Sequence, residues 1–229
     1  MRPPIEYIYS AVDFNRMHPL TPEQRFAVRR GLGIRDETFA VGFIAAFNEK
    51  KNQLGYLRGA VSPMRESCPA AQTFFVGDFE PETNAYAGEC LEAARAEGLD
   101  EFVRFVGFCS EVEKWYQACD VIVVPTRKEG MARCMIEALA CGTPVVSFDV
   151  CSAVEILEEH RCGRVAAQGD YQQLTGAIVN FAQSAQMRSD YGSTGSALAR
   201  RLFSPEASLE KYRNLILSLE GANLGTRHA

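Results

Sequence analysis

Two glutamates eight residues apart, Glu129 and Glu137, carry the clearest chemical potential in the chain; they lie in the stretch KEGMARCMIEALACGTPVV (128–146). The stretch reads as a loop, a helix and a strand. The helix begins near Ala132 and stops at Gly142, with Pro144 forbidding its continuation. The backbone N–H groups of Gly130 to Cys134 are then the unpaired donors of a helix start, backed by the positive end of the dipole. Such a place suits a phosphate or a sugar hydroxyl. Gly130 has no Cβ and lets a ligand approach the backbone. Glu129 projects into the same mouth as a hydroxyl acceptor. Glu137, about one and a half turns into the helix, can accept two hydrogen bonds from a vicinal diol such as that of a ribose. Both carboxylates also have plainer explanations: Glu129 can complement the helix dipole, and Glu137 can be half-exposed or paired with an arginine.

The elements around this stretch alternate. Apolar, β-rich runs at 38–47, 71–78, 102–108, 119–125, 143–149 and, more weakly, 163–167 read as buried parallel strands. Helical stretches lie between and after them, at about 51–66, 84–97, 111–118, 132–141, 152–159, 171–183, 187–201 and 205–220. Strand and helix at this spacing predict βαβ units: an α/β fold with a Rossmann-like, doubly wound parallel sheet of about six strands and helices on both faces. Ligands of such sheets bind beyond the carboxyl ends of the strands. Before the first strand, Thr21 can cap a helix whose first turn takes Pro22 and whose end falls at Gly31 and Gly33. Residues 1–20 read as a linker, 21–220 as one Rossmann-like domain, and 221–229 as a flexible tail.

Composition narrows the function. A hydrophobic content of 47% supports a real core, and a net charge of −5 argues against general nucleic-acid or membrane-coating roles. Eight cysteines form no C-x-x-C pair, and the three histidines sit at no zinc-ligand spacing to them. Free thiols in a reducing cytosol are expected, most of them small core hydrophobes. No signal peptide opens the chain and no run approaches a membrane span.

EGMARCMIEALACGTPVV resembles the E-x7-E signature of group 1 (family 4) glycosyltransferases, enzymes of the GT-B fold, with Glu129 and Glu137 on its two glutamates. VGD at 76–78, FVRFVGF at 102–108, WYQACDVIVVPT at 115–126 and DVCSAVEIL at 149–157, with Glu155 on its glutamate, resemble further blocks of the family in the same order. Arg133 is similar to the arginine of an E-G-x-P-R subgroup common in surface-polysaccharide assembly. The likeness runs from residue 8 to about 217. It implies one half of a GT-B fold and a retaining, metal-independent transferase acting in polysaccharide or glycoconjugate biosynthesis. Its substrate would be a UDP- or GDP-linked sugar, with no cofactor. Glu137 would hold the ribose, and Glu129 with Gly130, Met131 and Ala132 the donor sugar. Gly107, Phe108 and the loop to Ser110 would grip the base, and Lys51 with the helix start would hold the diphosphate. Glu129 and Lys51 are the catalytic candidates.

Two departures bear on activity. The family pattern G-R-(L/F)-x-x-x-K-G falls on AAFNEKKN, so Ala45 and Ala46 replace its Gly and Arg while Lys51 keeps the lysine. Lys50 or Arg133 would have to substitute in part. A solvated surface role is the plainer reading of Lys51. IYSAVDFNRMHP at 8–19 matches the segment that leads into the C-terminal domain, so nearly all of the N-terminal, acceptor-binding domain is expected to be missing and to act in cis or trans. The terminal helix, normally laid against that domain, should expose an apolar stripe able to drive dimerisation. The location implied is cytoplasmic, at most at the inner face of a membrane through a partner. A degenerate, non-catalytic nucleotide-sugar-binding or assembly module is the alternative, and an epimerase or phosphorylase on the same fold a weaker one.

Overall fold

The computed structural model describes residues 7–150 and 152–225, with side chains to residue 219. The predicted strands form one parallel sheet: β1 (Phe39–Ile44), β2 (Ala71–Val76), β3 (Val103–Gly107), β4 (Val121–Val124), β5 (Val145–Phe148) and β6 (Gly163–Ala166), in the order β3-β2-β1-β4-β5-β6. The chain adds strands outward from β1 in one direction, then returns to add β4 to its other side. The switch point therefore lies between β1 and β4.

All six residues of β1 and all four of β4 are buried. Period-2 alternation sends them to two cores. Ala40, Ile44, Ile122 and Val124 join Trp115, Ile136, Leu139 and Phe203 on one face. Val41, Phe43, Val121 and Val123 join Tyr56, Phe75, Ile178 and Phe181 on the other. Each large apolar side chain fully buried this way contributes about 1.5–3 kcal/mol. Helices therefore cover both faces, as the near-continuous apolar strands require. The first face takes α1 (Pro22–Gly31), α5 (Val112–Ala118), α6 (Arg133–Ala140) and α8 (Ala185–Leu202). The second takes α2 (Gln53–Tyr56), α3 (Ser62–Ser67), α4 (Ala85–Ala96) and α7 (Tyr171–Gln183). Thr21 caps α1 as expected, in a full capping box with Gln24.

Four expectations need correction. The helix expected at 51–66 starts two residues later, so Lys51 lies in a loop, and a π turn at Leu57–Val61 divides it into α2 and α3. The wide turn stands directly before Pro63, whose ring and missing N–H cannot continue an α-helical ladder. The helix expected at 152–159 is likewise a π turn, Val154–Glu158. The linker expected over 1–20 is, from residue 7 on, irregular but fastened down. Val12 and Met17 are buried in the core, Val12 N–H donates to the Phe203 carbonyl at 2.8 Å, and Gln117 Nε2 donates to the carbonyls of Arg16 and His18. Finally, α9 (Pro205–Gly225) runs five residues past its expected end, so 221–225 of the expected tail are helical, and 226–229 lie outside the described residues. Its expected apolar stripe is exposed at Leu209, Tyr212, Ile216 and Leu219.

Candidate functional site

The loops leaving β1 and β4 part at the switch point, and the crevice they open is where a doubly wound sheet binds ligands. The β1 loop brings Lys51 and the β4 loop brings Glu129; their ammonium and carboxylate form an ion pair with side chains 28% and 22% exposed. A solvated lysine is thus the wrong description of Lys51. On α6, Glu137 is 14% exposed and held from two sides. Tyr116 of α5 donates its hydroxyl to Oε2 at 2.9 Å, and Arg133 donates through Nη2 and Nε to Oε1 at 3.1 and 3.3 Å. Burial drives the Tyr116 hydroxyl well above its ordinary pKa, with Cys134 and Glu137 nearby adding to the shift, so it remains a donor at any working pH. The arginine pairing suspected for Glu137 is real. A carboxylate oxygen has about two lone-pair sites; Arg133 takes both on Oε1, while Oε2 keeps one beside Tyr116 for an incoming hydroxyl.

The two groups surround one point. Cys134 lies within electrostatic reach of Lys51, Glu137 and Glu129, and burial pushes its thiol up to about 12. The N-cap of α6, Ala132, has no side chain able to cap, and the first turn carries no acid. Its leading N–H groups are therefore left to an incoming anion. Gly130 and Met131 border a cavity of about 530 Å³ whose far wall is Tyr9, Ser152 and Glu155. There the Tyr9 hydroxyl donates to Glu155 Oε1 at 3.0 Å, and burial followed by that bond raises its pKa.

The expected base loop stands at the end of β3. Gly107 has φ +85°, a left-handed value that favours glycine, and its carbonyl accepts from Gly77 N–H at 3.0 Å. Phe108 is 76% exposed beside it. Arg16 donates to the Ser110 carbonyl at 2.9 Å and to Glu113 at 2.5 Å, and the Glu113 bond is the main reason its pKa rises; Glu137 adds to the shift from a distance. Lys50 contributes its backbone carbonyl, which accepts from Arg127 N–H and Thr126 Oγ1 at 2.9 and 2.7 Å, and its side chain is exposed. Ala46 is exposed at the same mouth and binds Gln53 through its carbonyl.

Sequence reasoning assigned no role to Tyr116, Arg16, Tyr9 or Asn52. Tyr116 lies inside the block WYQACD, but no spacing rule links it to a residue on the next helix. A larger hollow of about 900 Å³, near Arg25, Arg29, Asp120 and Arg188, opens at the opposite end of the sheet, where strands begin, and shares no residue with the crevice.

A model of the family described as glycosyl transferases group 1 matches residues 38–184. A GDP-mannose-dependent monoacylated alpha-(1-6)-phosphatidylinositol monomannoside mannosyltransferase of Corynebacterium glutamicum is 25% identical over 225 residues, 94% of this chain and 57% of the relative. A lipopolysaccharide core biosynthesis mannosyltransferase, LpsB, of Rhizobium meliloti is 26% identical over 182 residues, 78% of this chain and 50% of the relative. The chain thus spans about half the length of these relatives. The crystal structure of HepE from Anabaena in complex with UDP and glucose superposes with a TM-score of 0.81 at 24% identity, covering 92% of this chain and 56% of that one.

Proposed function

Since the chain belongs to the group 1 glycosyl transferases, we propose that its switch-point crevice binds a nucleotide-diphosphate sugar and that the chain is the donor-binding part of a transferase. The observation that carries this reading is the arrangement of Lys51 and Glu129 beside Tyr116, Glu137 and Arg133 around the uncapped start of α6. Glu137 accepts the ribose hydroxyls, and Tyr116 fixes the carboxylate for them. The α6 N–H groups and Lys51 meet the diphosphate. Glu129, Gly130, Met131 and Ala132 face the donor sugar, and the Gly107–Phe108 turn meets the base. Donor binding requires Lys51 to share its ammonium between Glu129 and a phosphate oxygen.

Ala46 leaves the diphosphate one cation short of the family pattern, and Arg133, 61% exposed and only one turn away from Glu137, is the side chain best placed to turn toward it. The same reading makes the reaction a retaining transfer of family 4 type, in which these side chains rather than a metal stabilise the departing diphosphate and no cofactor takes part. Surface polysaccharide or glycolipid is the product class suggested by what the two mannosyltransferases are named for. Their names and that of HepE leave GDP and UDP as the nucleotides to test. Acceptor binding falls to a further domain, in cis or in trans, without which this chain binds donor and does not transfer sugar. The exposed stripe of α9 supports either that domain or a second copy as its cover. No helix among the described residues is long and apolar enough to cross a membrane, which suits work at the cytoplasmic side through a partner.

Calorimetric titration with UDP, GDP and ADP tests the reading, with Glu137→Ala as control. One nucleotide is expected to bind selectively and to lose its affinity in the variant. Affinity unchanged by Glu137→Ala would remove the ribose assignment, and no binding by any of the three at millimolar concentration would favour the degenerate module.

A further inference from the structure

The ion pair of Lys51 and Glu129 joins two loops, and the residue after Lys51 is built into both. Asn52 adopts φ 69° and ψ 34°, in the left-handed region, and is 1% exposed. Its Nδ2 donates to the Pro125 carbonyl at 2.9 Å and to the Tyr171 hydroxyl at 2.8 Å, while its Oδ1 accepts from Arg127 Nε at 3.2 Å. The neighbouring backbone is tied the same way, since the Lys50 carbonyl accepts from both Thr126 and Arg127. Space for this arrangement is reserved in the sequence. A Cβ on Gly55 would collide with the Tyr171 hydroxyl and Asn52 Oδ1, and one on Gly59 with the Tyr171 ring.

A glycine would satisfy the turn more easily than asparagine, and the family pattern quoted above has glycine directly after its lysine. The side chain of Asn52 therefore answers a need other than backbone shape. Its amide spends its capacity on the segment 125–127 that precedes Glu129, and on Tyr171. A buried polar network with its members satisfied rigidifies what it connects.

Resting on the donor reading above, we infer that Asn52 is a positioning residue that locks the Lys51 loop to the Glu129 loop, so that the ammonium waits where the diphosphate arrives. In a chain with alanine in place of the second cation, the remaining lysine gains most from being held in place. Asn52 acts through Lys51 and touches no substrate.

Asn52→Gly keeps the turn and removes the ties. The full chain and this variant are titrated with UDP, UMP, GDP and GMP, and the rate of acetylation at Lys51 by an N-hydroxysuccinimide ester is followed by peptide mass spectrometry. The expected result is a diphosphate affinity weakened about tenfold, with the monophosphate unchanged within about twofold. Lys51 should acetylate several-fold faster, and Asn52→Gly should have no further effect on nucleotide binding in a Lys51→Ala background. Equal losses on mono- and diphosphate, losses that add to those of Lys51→Ala, or an unchanged acetylation rate would each overturn the inference. If the unaltered chain binds none of the four nucleotides, the donor reading fails, and the acetylation rates alone decide whether Asn52 positions Lys51.

Discussion

Asp120 closes the family-like block WYQACD, and its surroundings predict a large effect on stability with none on ligand binding. It stands at the opening of β4, the far end of the strand from the crevice. Its Oδ2 accepts from Ala40 N–H at 2.8 Å and from Arg29 Nη1 at 3.2 Å, and its Oδ1 accepts from Arg25 Nη2 at 2.8 Å. The Asp120 side chain is 11% exposed, Arg29 7% and Arg25 36%. Arg25 is open enough to water that its pairing is worth at most about 1 kcal/mol. Arg29 is different. In Asp120→Ala it keeps its bonds to the carbonyls of Ala118 at 2.9 Å and Thr38 at 2.6 Å but loses its counter-ion, and an uncompensated buried charge costs about 3–5 kcal/mol. The Ala40 N–H, at the start of β1, loses its acceptor as well, a loss of about 1–3 kcal/mol that overlaps the first because the same cavity admits water to both.

The expected destabilisation is therefore about 3–5 kcal/mol for Asp120→Ala. In a domain of this size that lowers the melting temperature by about 6–20 °C. Asp120→Asn removes the same counter-ion but keeps an acceptor oxygen for the Ala40 N–H, so its loss should fall at the low end of that range, about 3 kcal/mol. Urea unfolding of the three chains measures both values, and nucleotide titration below the unfolding transition should give one common affinity. A loss under about 1 kcal/mol in Asp120→Ala would mean that the arginine cluster is solvated and worth no more than a surface pair. A changed nucleotide affinity in the folded variant would mean that the two ends of β4 are coupled.

Restoring the missing cation gives the opposite kind of effect. Ala46→Arg, at an exposed position in the crevice mouth, should tighten nucleoside-diphosphate binding by up to about tenfold, the low end of one charge-assisted hydrogen bond; an unchanged dissociation constant would show that the diphosphate lies out of its reach. Thiol titration gives the pH dependence. Burial pushes Cys90, Cys119, Cys134, Cys141 and Cys162 up to about 12 in the folded chain. The unfolded chain ionises its thiols first, near pH 8.5, so their contribution to stability is complete below that pH and declines as pH rises toward 12. Urea midpoints measured from pH 8 upward should fall, and alkylation of Cys119, 2% exposed, at pH 8 should be more than about a hundredfold slower than in the unfolded chain; rapid labelling of Cys119 in the folded chain would contradict its burial.

The parallel sheet was legible because its strands are apolar on both faces, and runs such as FAVGFI and VIVV read alike whichever neighbours they pair with. The start of α6 was legible too, since its loop glycine, its stop at Gly142 and Pro144 are all local signals. The π turns were not. They answer to Pro63 and to packing against other elements, which no helical period records. Lys51 lies in a loop beside Glu129 and not on the expected helix, because the turn that excludes it depends on Asn52 finding partners at 125, 127 and 171.

That pattern explains why the glutamates could be found while their states could not. A carboxylate at 129 or 137 is visible in the sequence, but what it can do depends on its partners. Lys51 is 78 residues from Glu129 and Tyr116 is 21 from Glu137. Glu137 shows the consequence. Spacing alone allowed either a ribose acceptor or a helix ion pair, as if these were rivals. In the fold, Arg133 takes two positions on Oε1 and Tyr116 one on Oε2, and together they hold the carboxylate in place, so the ion pair orients the same group that a hydroxyl would meet at Oε2. On the donor reading, the structural role and the proposed binding role fall on one side chain, and removing Arg133 should therefore loosen nucleotide binding as well as remove a cation.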